Sequence, residues 1–196
     1  MNAPRVGVLA LQGDVREHAQ ALTGLGADVR LVRRPEDLAA VQGLVLPGGE
    51  SSVIDKLSRI FGMQQPIREA IAAGMPMYGT CAGLILLADR ITDGIDGQQT
   101  FGGLDVTVQR NAFGGQIESF ETDLDIPELG EEPVHAVFIR APVVQGVGDG
   151  ARALAALSDG RVVAVQQGAL LGTSFHPEMT GERRFHRHFL DLVRAA

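Results

Sequence analysis

The chain has 196 residues, of which 45% are hydrophobic and 21% charged, enough for one domain with a full core. No apolar stretch is long enough for a membrane-spanning helix, and a formal charge of −7 argues against a general nucleic-acid binder. One cysteine cannot close an internal disulfide, and Met1-Asn2-Ala3-Pro4-Arg5 has no signal-peptide layout, so a cytoplasmic protein is expected. Val6–Leu11 is a continuous apolar run, as for a strand buried on both faces, and Gln12-Gly13 breaks it. Asp14 suits the N-cap of the next helix, with Glu17 completing a capping box; that helix runs to about Leu25 and Gly26 ends it. Asp28–Val32 reads as a strand, Pro35–Ala40 as a short helix and Leu44–Leu46 as a third strand. The turn Pro47-Gly48-Gly49-Glu50-Ser51-Ser52 then feeds a helix to about Ala73, with breaks near Gly62 and Pro66. Met75–Tyr78 is a fourth buried strand, and Leu84–Ala88 the start of another helix.

Strand and helix alternate to about residue 90, which predicts a mostly parallel sheet with helices on both faces. Beyond that point Leu104–Gln109, Ser119–Thr122, Val134–Ile139, Val162–Gln167 and Leu170–Phe175 read as strands joined by turns. Some are expected to be antiparallel and some to leave the main sheet. Thr180 is placed as the cap of a final helix through Val193, and Asp93–Gln99 and Leu124–Pro133 as the most mobile loops. The expected architecture is one three-layer α/β/α domain over 1–196. In such folds ligands sit at the carboxyl ends of the parallel strands, where Gln12, the Pro47–Ser52 turn and Cys81 all fall.

Cys81 lies in Tyr78-Gly79-Thr80-Cys81-Ala82-Gly83, between a strand and a helix. Gly79 and Gly83 permit a tight, strained turn there. A thiol at a helix N-terminus faces backbone N–H groups and a dipole that favour the thiolate, although many lone cysteines are buried core fillers. A cysteine nucleophile needs a base, and the base an orienting group. Ser174-Phe175-His176-Pro177-Glu178 offers both: if strand geometry continues past Phe175, the period of two puts His176 and Glu178 on one face. The oxyanion of acyl transfer calls for backbone donors, and the N–H of Ala82 and those of Gly48-Gly49 are candidates. The glycines match neither a phosphate loop nor the dinucleotide fingerprint. Metal-ligand clusters are absent from the pattern, and His186 and His188, two apart on a helix, face different ways.

The segments Leu11-Gln12-Gly13-Asp14 with Glu17-His18, Leu46-Pro47-Gly48-Gly49-Glu50-Ser51-Ser52 and Gly79-Thr80-Cys81-Ala82-Gly83 stand in a telling order. Gln109-Arg110-Asn111-Ala112-Phe113-Gly114, Glu118-Ser119-Phe120, Phe138-Ile139-Arg140-Ala141-Pro142 and Ser174-Phe175-His176-Pro177-Glu178 follow, so that the set spans nearly the whole chain. Together they resemble the class I, triad-type glutamine amidotransferases. The Leu-Gln-Gly-Asp, Gly-Gly-Glu-Ser-Ser, Arg-Asn-Ala-Phe-Gly and Phe-Ile-Arg-Ala-Pro elements are similar to those of the glutaminase subunits of pyridoxal 5′-phosphate synthases. The resemblance implies a flavodoxin-like fold and a Cys81–His176–Glu178 triad. It implies L-glutamine as substrate, with contacts from Gly49, Glu50, Ser51, Arg110, Ile139 and Arg140, and no cofactor. Glu50 suits the α-ammonium and an arginine the carboxylate, while Ile139 would contribute backbone. Gln12 lies in the region that, in the family, faces the partner and is linked to oxyanion-hole formation. Gly115 departs from the family pattern, where a basic residue is expected, and this bears on docking or loop order. Only one helix of chain follows Glu178, so the ammonia acceptor is expected on a separate polypeptide, by resemblance a (β/α)8-barrel synthase. Two alternatives stay open: another cysteine hydrolase on a related fold, such as a γ-glutamyl hydrolase or a peptidase, and a non-catalytic assembly subunit.

Overall fold

The computed structural model describes residues 3–110 and 119–196. Five parallel strands form the heart of the sheet, in the order β2 (Asp28–Val32), β1 (Arg5–Leu9), β3 (Gly43–Leu46), β4 (Met77–Thr80) and β12 (Leu170–Thr173). The sheet continues past β12 through antiparallel β11 (Val162–Gln167), β9 (Val143–Val147) and β6 (Leu104–Gln109). It ends on β5 (Ala88–Thr92), which pairs parallel to β6, and β10 (Arg152–Ala156) branches from β11. β7 (Ser119–Leu124) and β8 (Val134–Ile139) leave it as an antiparallel pair of their own.

Side-chain alternation along the parallel strands feeds two cores. Val6, Val8, Val45 and Tyr78 point to the face covered by α1 (Val15–Gly24), α7 (Arg184–Ala195) and β8, where they meet Leu22, Phe138, Phe175, Phe185 and Phe189. Leu9, Leu44, Leu46 and Met77 point to the face covered by α2 (Pro35–Ala39), α3 (Ser51–Ile60), α4 (Gln64–Ala72) and α5 (Ala82–Leu87). Full burial of each large side chain contributes about 2 kcal/mol, and the two cores fix the order of the three layers.

Several local expectations are corrected. The long helix after Ser51 breaks only at Gly62, with φ of 66°; Pro66 sits in the first turn of α4, where its missing N–H has no intrahelical role. α5 is only six residues long, because Ala88 turns directly into β5. Thr180 does not cap α7: it closes α6 (Pro177–Thr180), its hydroxyl donating to the Pro177 carbonyl, and Arg183 stands at the α7 N-cap. At the end of the Asp93–Gln99 segment the Gln99 N–H donates to Asp55 and the Gln98 amide to Ser51. No helix among the described residues is long and apolar enough to cross a membrane.

Candidate active site

The parallel strands β1, β3, β4 and β12 end side by side, and the chain after each supplies one wall of a cleft of about 300 Å3. Gln12 and Asp14 come from the end of β1, Gly49, Glu50 and Ser51 from the end of β3, Cys81 from the end of β4 and His176 from beyond β12. Arg110, after β6, and Ile139 and Arg140, at the end of β8 and just after it, close the outer side together with Ile85 and Met179. Every proposed glutamine contact therefore lines one cavity.

Cys81 is the strained residue of the turn, with φ of 48° and ψ of −101°. That left-handed backbone is held because the Cys81 N–H donates to Thr173 O at 2.8 Å and its carbonyl accepts from Ile85 N. Gly79 and Gly83 are not the strained positions. They let α5 lie on the sheet: a Cβ on Gly79 would strike the Gly83 carbonyl group, and one on Gly83 the Leu46 carbonyl. Ala82 opens α5, so its N–H belongs to the first turn, where amides lack intrahelical acceptors.

His176 and Glu178 meet, but by a different route from the one the period of two suggests. β12 ends at Thr173; His176 N-caps α6, and its Nδ1 donates to Glu178 Oε1 at 2.8 Å across the first turn of that short helix. The Glu178 side chain is fully buried and that of His176 is 6% exposed. Burial pushes the Glu178 carboxyl up, with the His176 contact opposing it. Burial also works against a charged His176, but the Asp14, Cys81 and Glu178 side chains outweigh it, and its pKa is pushed up to about 12. The Asp14, Cys81 and Glu178 side chains around it thus favour the protonated ring.

Asp14 is the residue the sequence pattern misassigned. It stands at the N-cap of α1 but makes no side-chain cap, and Glu17 pairs with Arg16 instead of closing a capping box. The Asp14 carboxylate turns into the cleft, 3.5 Å from His176 Nδ1. The Asp14, His176 and Glu178 ligand atoms lie within 4.8 Å of one another, which corrects the expectation of no metal-ligand cluster. Both carboxylates face the same ring nitrogen, the geometry of a shared proton rather than an open ligand set.

The Gly48 carbonyl accepts from Asp14 N at 3.0 Å, which sets the orientation of the Gly48–Gly49 peptide. Gly48 must be glycine because a Cβ would stand 2.5 Å from His176 Cε1. Gln12 Oε1 accepts from Glu50 N at 2.8 Å, tying the end of β1 to this turn. Glu50 caps α3, accepting from Ser52 N and Oγ. Its other partner is Arg110, whose Nη2 donates to Glu50 Oε1 at 2.9 Å; Arg110 is buried while the Glu50 side chain is half exposed. Arg140 is exposed and holds a left-handed backbone, with φ of 45°. Gly115 and the Asn111–Gly114 motif lie outside the described residues. The sequence reading assigned no role to Asp14, Ile85 or Met179 in the cleft, nor to buried His18 behind it; only the quoted Asp14 and Glu17-His18 motifs pointed to two of them.

The profile of the SNO glutamine amidotransferase family matches residues 8–195. A Clavibacter michiganensis subsp. michiganensis protein named pyridoxal 5′-phosphate synthase subunit PdxT is 68% identical, across 100% of this chain and 93% of its own length. A Leifsonia xyli subsp. xyli protein of the same name is 66% identical, with 97% and 96% covered. A crystal structure described as a glutamine amidotransferase superposes with a TM-score of 0.89 at 48% identity, covering 96% of this chain and 98% of that one. With the fold, the cleft and these relatives in agreement, the chain belongs to the SNO glutamine amidotransferase family.

Proposed function

We propose that this chain, as a single domain over 1–196, is the glutaminase subunit of a cytoplasmic pyridoxal 5′-phosphate synthase and serves vitamin B6 biosynthesis. It hydrolyses L-glutamine to L-glutamate and ammonia and hands the ammonia to a separate (β/α)8-barrel synthase subunit in a hetero-oligomer. The Cys81 thiolate attacks the side-chain amide carbon, and the carbonyl electrons move onto oxygen. Backbone N–H groups of Ala82 and the Gly48–Gly49 turn hold that oxyanion. Collapse of the intermediate expels ammonia with the proton of the His176 imidazolium and leaves a γ-glutamyl thioester on Cys81. Neutral His176 then takes a proton from water as the water attacks the thioester. The second oxyanion collapses to glutamate, and the thiolate–imidazolium pair is restored. Glu178 orients His176 throughout. Glu50 receives the α-ammonium and Arg110 the α-carboxylate, with Gly49, Ser51, Ile139 and Arg140 completing the pocket. Gln12, bonded to Glu50 N, faces the partner and couples docking to the oxyanion turn.

The observation that carries this reading is a cysteine on a left-handed elbow in one cleft with a histidine that is itself paired to a buried carboxylate, and with Glu50 and Arg110. The test is release of ammonia and glutamate from L-glutamine, with and without the barrel synthase, with Cys81→Ala as control. Cys81-dependent release that rises on adding the synthase is expected, with at least about 10^4-fold loss in the alanine variant. Residual turnover near the wild-type rate in Cys81→Ala would sink the nucleophile assignment. A rate indifferent to the synthase would remove the coupling through Gln12.

A further inference from the structure

Behind the cleft lies a second imidazole that the mechanism leaves unused. His18, from α1, is fully buried, as is His186 from α7. His18 Nδ1 is 2.9 Å from His186 Nε2, and His18 Nε2 is 3.0 Å from Thr80 Oγ1, one residue before the nucleophile. The same Nε2 lies 3.5 Å from Glu178 Oε1, the oxygen that accepts from His176. One carboxylate oxygen thus stands between two imidazoles, while Glu178 Oε2 is buried with no hydrogen-bond partner among the described residues. From the geometry we infer that His18 is a positioning residue for the glutaminase: a neutral Nε2–H imidazole that anchors Glu178 from behind and keeps it turned to His176, its tautomer set by His186.

The charge state and the proton count agree with this arrangement. Burial first, then the His186 and His176 rings, holds His18 well below the usual imidazole range. Burial likewise brings His186 down to about 4. Both rings are therefore neutral at pH 7, and one nitrogen of the 2.9 Å pair donates while the other accepts. With the proton on His18 Nε2, that nitrogen presents an N–H to the Thr80 hydroxyl and the Glu178 carboxylate. His18 Nδ1 then accepts from His186 Nε2–H, and the bare nitrogen is His186 Nδ1, which has no hydrogen-bond partner among the described residues. The reverse arrangement, with the His186 ring donating toward the Glu182 carbonyl, would set a His18 lone pair against Glu178 Oε1.

The groups facing this pair are few. His176 and Asp14 act from the cleft side, Thr80 and Tyr78 from β4 and His186 from α7. Glu182 and Arg183 bear on the pair from the start of α7. Among the described residues, His176 and His18 are the rings that bring a nitrogen within 3.5 Å of Glu178. Without His18 the buried carboxylate keeps one partner and protonates at higher pH, so the His176–Glu178 pair is lost sooner on acidification.

The inference rests on the proposed Cys81–His176–Glu178 set, and the experiment separates the two. In the isolated chain, the rate of Cys81 alkylation by iodoacetamide is followed against pH for wild type, His18→Leu and His18→Gln. In the complex with the barrel synthase, kcat and KM for L-glutamine are followed over the same range. His18→Leu should move the acid limb of both profiles up by about one pH unit, with KM unchanged. His18→Gln, which keeps an N–H donor of similar reach, should restore most of the shift. A folded His18→Leu whose alkylation limb overlays that of wild type overturns the inference. Should the leucine variant fail to fold, nitrogen-15 NMR of the wild-type imidazoles decides: a protonated His18 Nε2 supports it and a bare one overturns it. A shifted alkylation limb in a chain that hydrolyses no glutamine would instead leave the inference standing and reject the substrate.

Discussion

His176 and His135 each stand between two carboxylates, yet the two sites have little in common chemically. His135, on β8, has Asp123 and Glu121 of β7 at 2.9 Å on its two ring nitrogens. His176 has Glu178 at 2.8 Å and Asp14 at 3.5 Å, both on Nδ1. By distance alone the surface histidine is the better paired. Its pKa is raised by Asp123 and Glu121, but its ring is half exposed and water competes for every charge. The His176 ring is nearly enclosed, and the same kinds of contact push it up to about 12 against the cost of burial. Proximity of opposite charges is therefore common to both, and exclusion of water is what turns one of them into a candidate acid–base group.

The comparison breaks if the buried carboxylate can be neutralised without consequence. Glu178→Gln keeps shape and volume but removes the charge, and glutaminase kcat in the synthase complex should fall by about 10^3-fold with little change in KM. A loss of less than tenfold would place Glu178 with the surface carboxylates.

Buried neutral histidines sharpen it further, since they tie stability to pH in a way His135 cannot. His186 has a folded pKa of about 4 against an ordinary value of 6.5, so the unfolded chain binds its proton first. Its contribution is present above pH 6.5 and lost as pH falls through about 4; the full effect is on the order of 3 kcal/mol. His18, also lowered, acts in the same direction. Thermal unfolding between pH 7 and 4 should show a falling Tm that flattens in His186→Phe. An unchanged slope would mean that the ring is not the group titrating.

A third contrast concerns the Arg110–Glu50 pair, which joins a buried cation to a half-exposed carboxylate. If both ends receive the substrate, Arg110→Met raises KM for glutamine by about tenfold or more while kcat changes less. Equal loss in kcat alone would assign Arg110 to loop order instead. The smallest effect is expected at the surface: His135→Asn should leave glutaminase activity unchanged and Tm unresolved from wild type. What stabilisation the His135 cluster supplies is present below its ordinary pKa, is lost as pH rises through the raised value, and is screened by salt. A shift in Tm that survives high salt would contradict this.

How much of this was legible before folding depended on whether a residue's partner was near in sequence. The strands at Asp28–Val32, Leu104–Gln109, Val134–Ile139 and Val162–Gln167 read correctly, because β-branched and apolar residues recur along each of them. β5, β9 and β10 did not: β5 begins without a turn signal at the end of α5, and Arg152–Ala156 is alanine-rich and pairs only at a bulged edge. Asp14 looked like a helix cap since nothing in its neighbourhood shows that His176, more than 160 positions away, would claim its carboxylate.

The sequence by itself determined the parallel strand–helix alternation, the placement of Cys81 at a strand end and the adjacency of His176 to Glu178. Each rests on local periodicity or on a spacing of a few residues. Only the tertiary structure decided that Cys81, rather than its flanking glycines, bears the strained backbone, and that Asp14, Cys81 and Glu178 converge to raise the His176 pKa. It also decided that a neutral His18–His186 pair stands behind Glu178. Charge state and tautomer depend on burial and on partners brought together from β1, β4, α1, α6 and α7, and no window of sequence contains that enclosure.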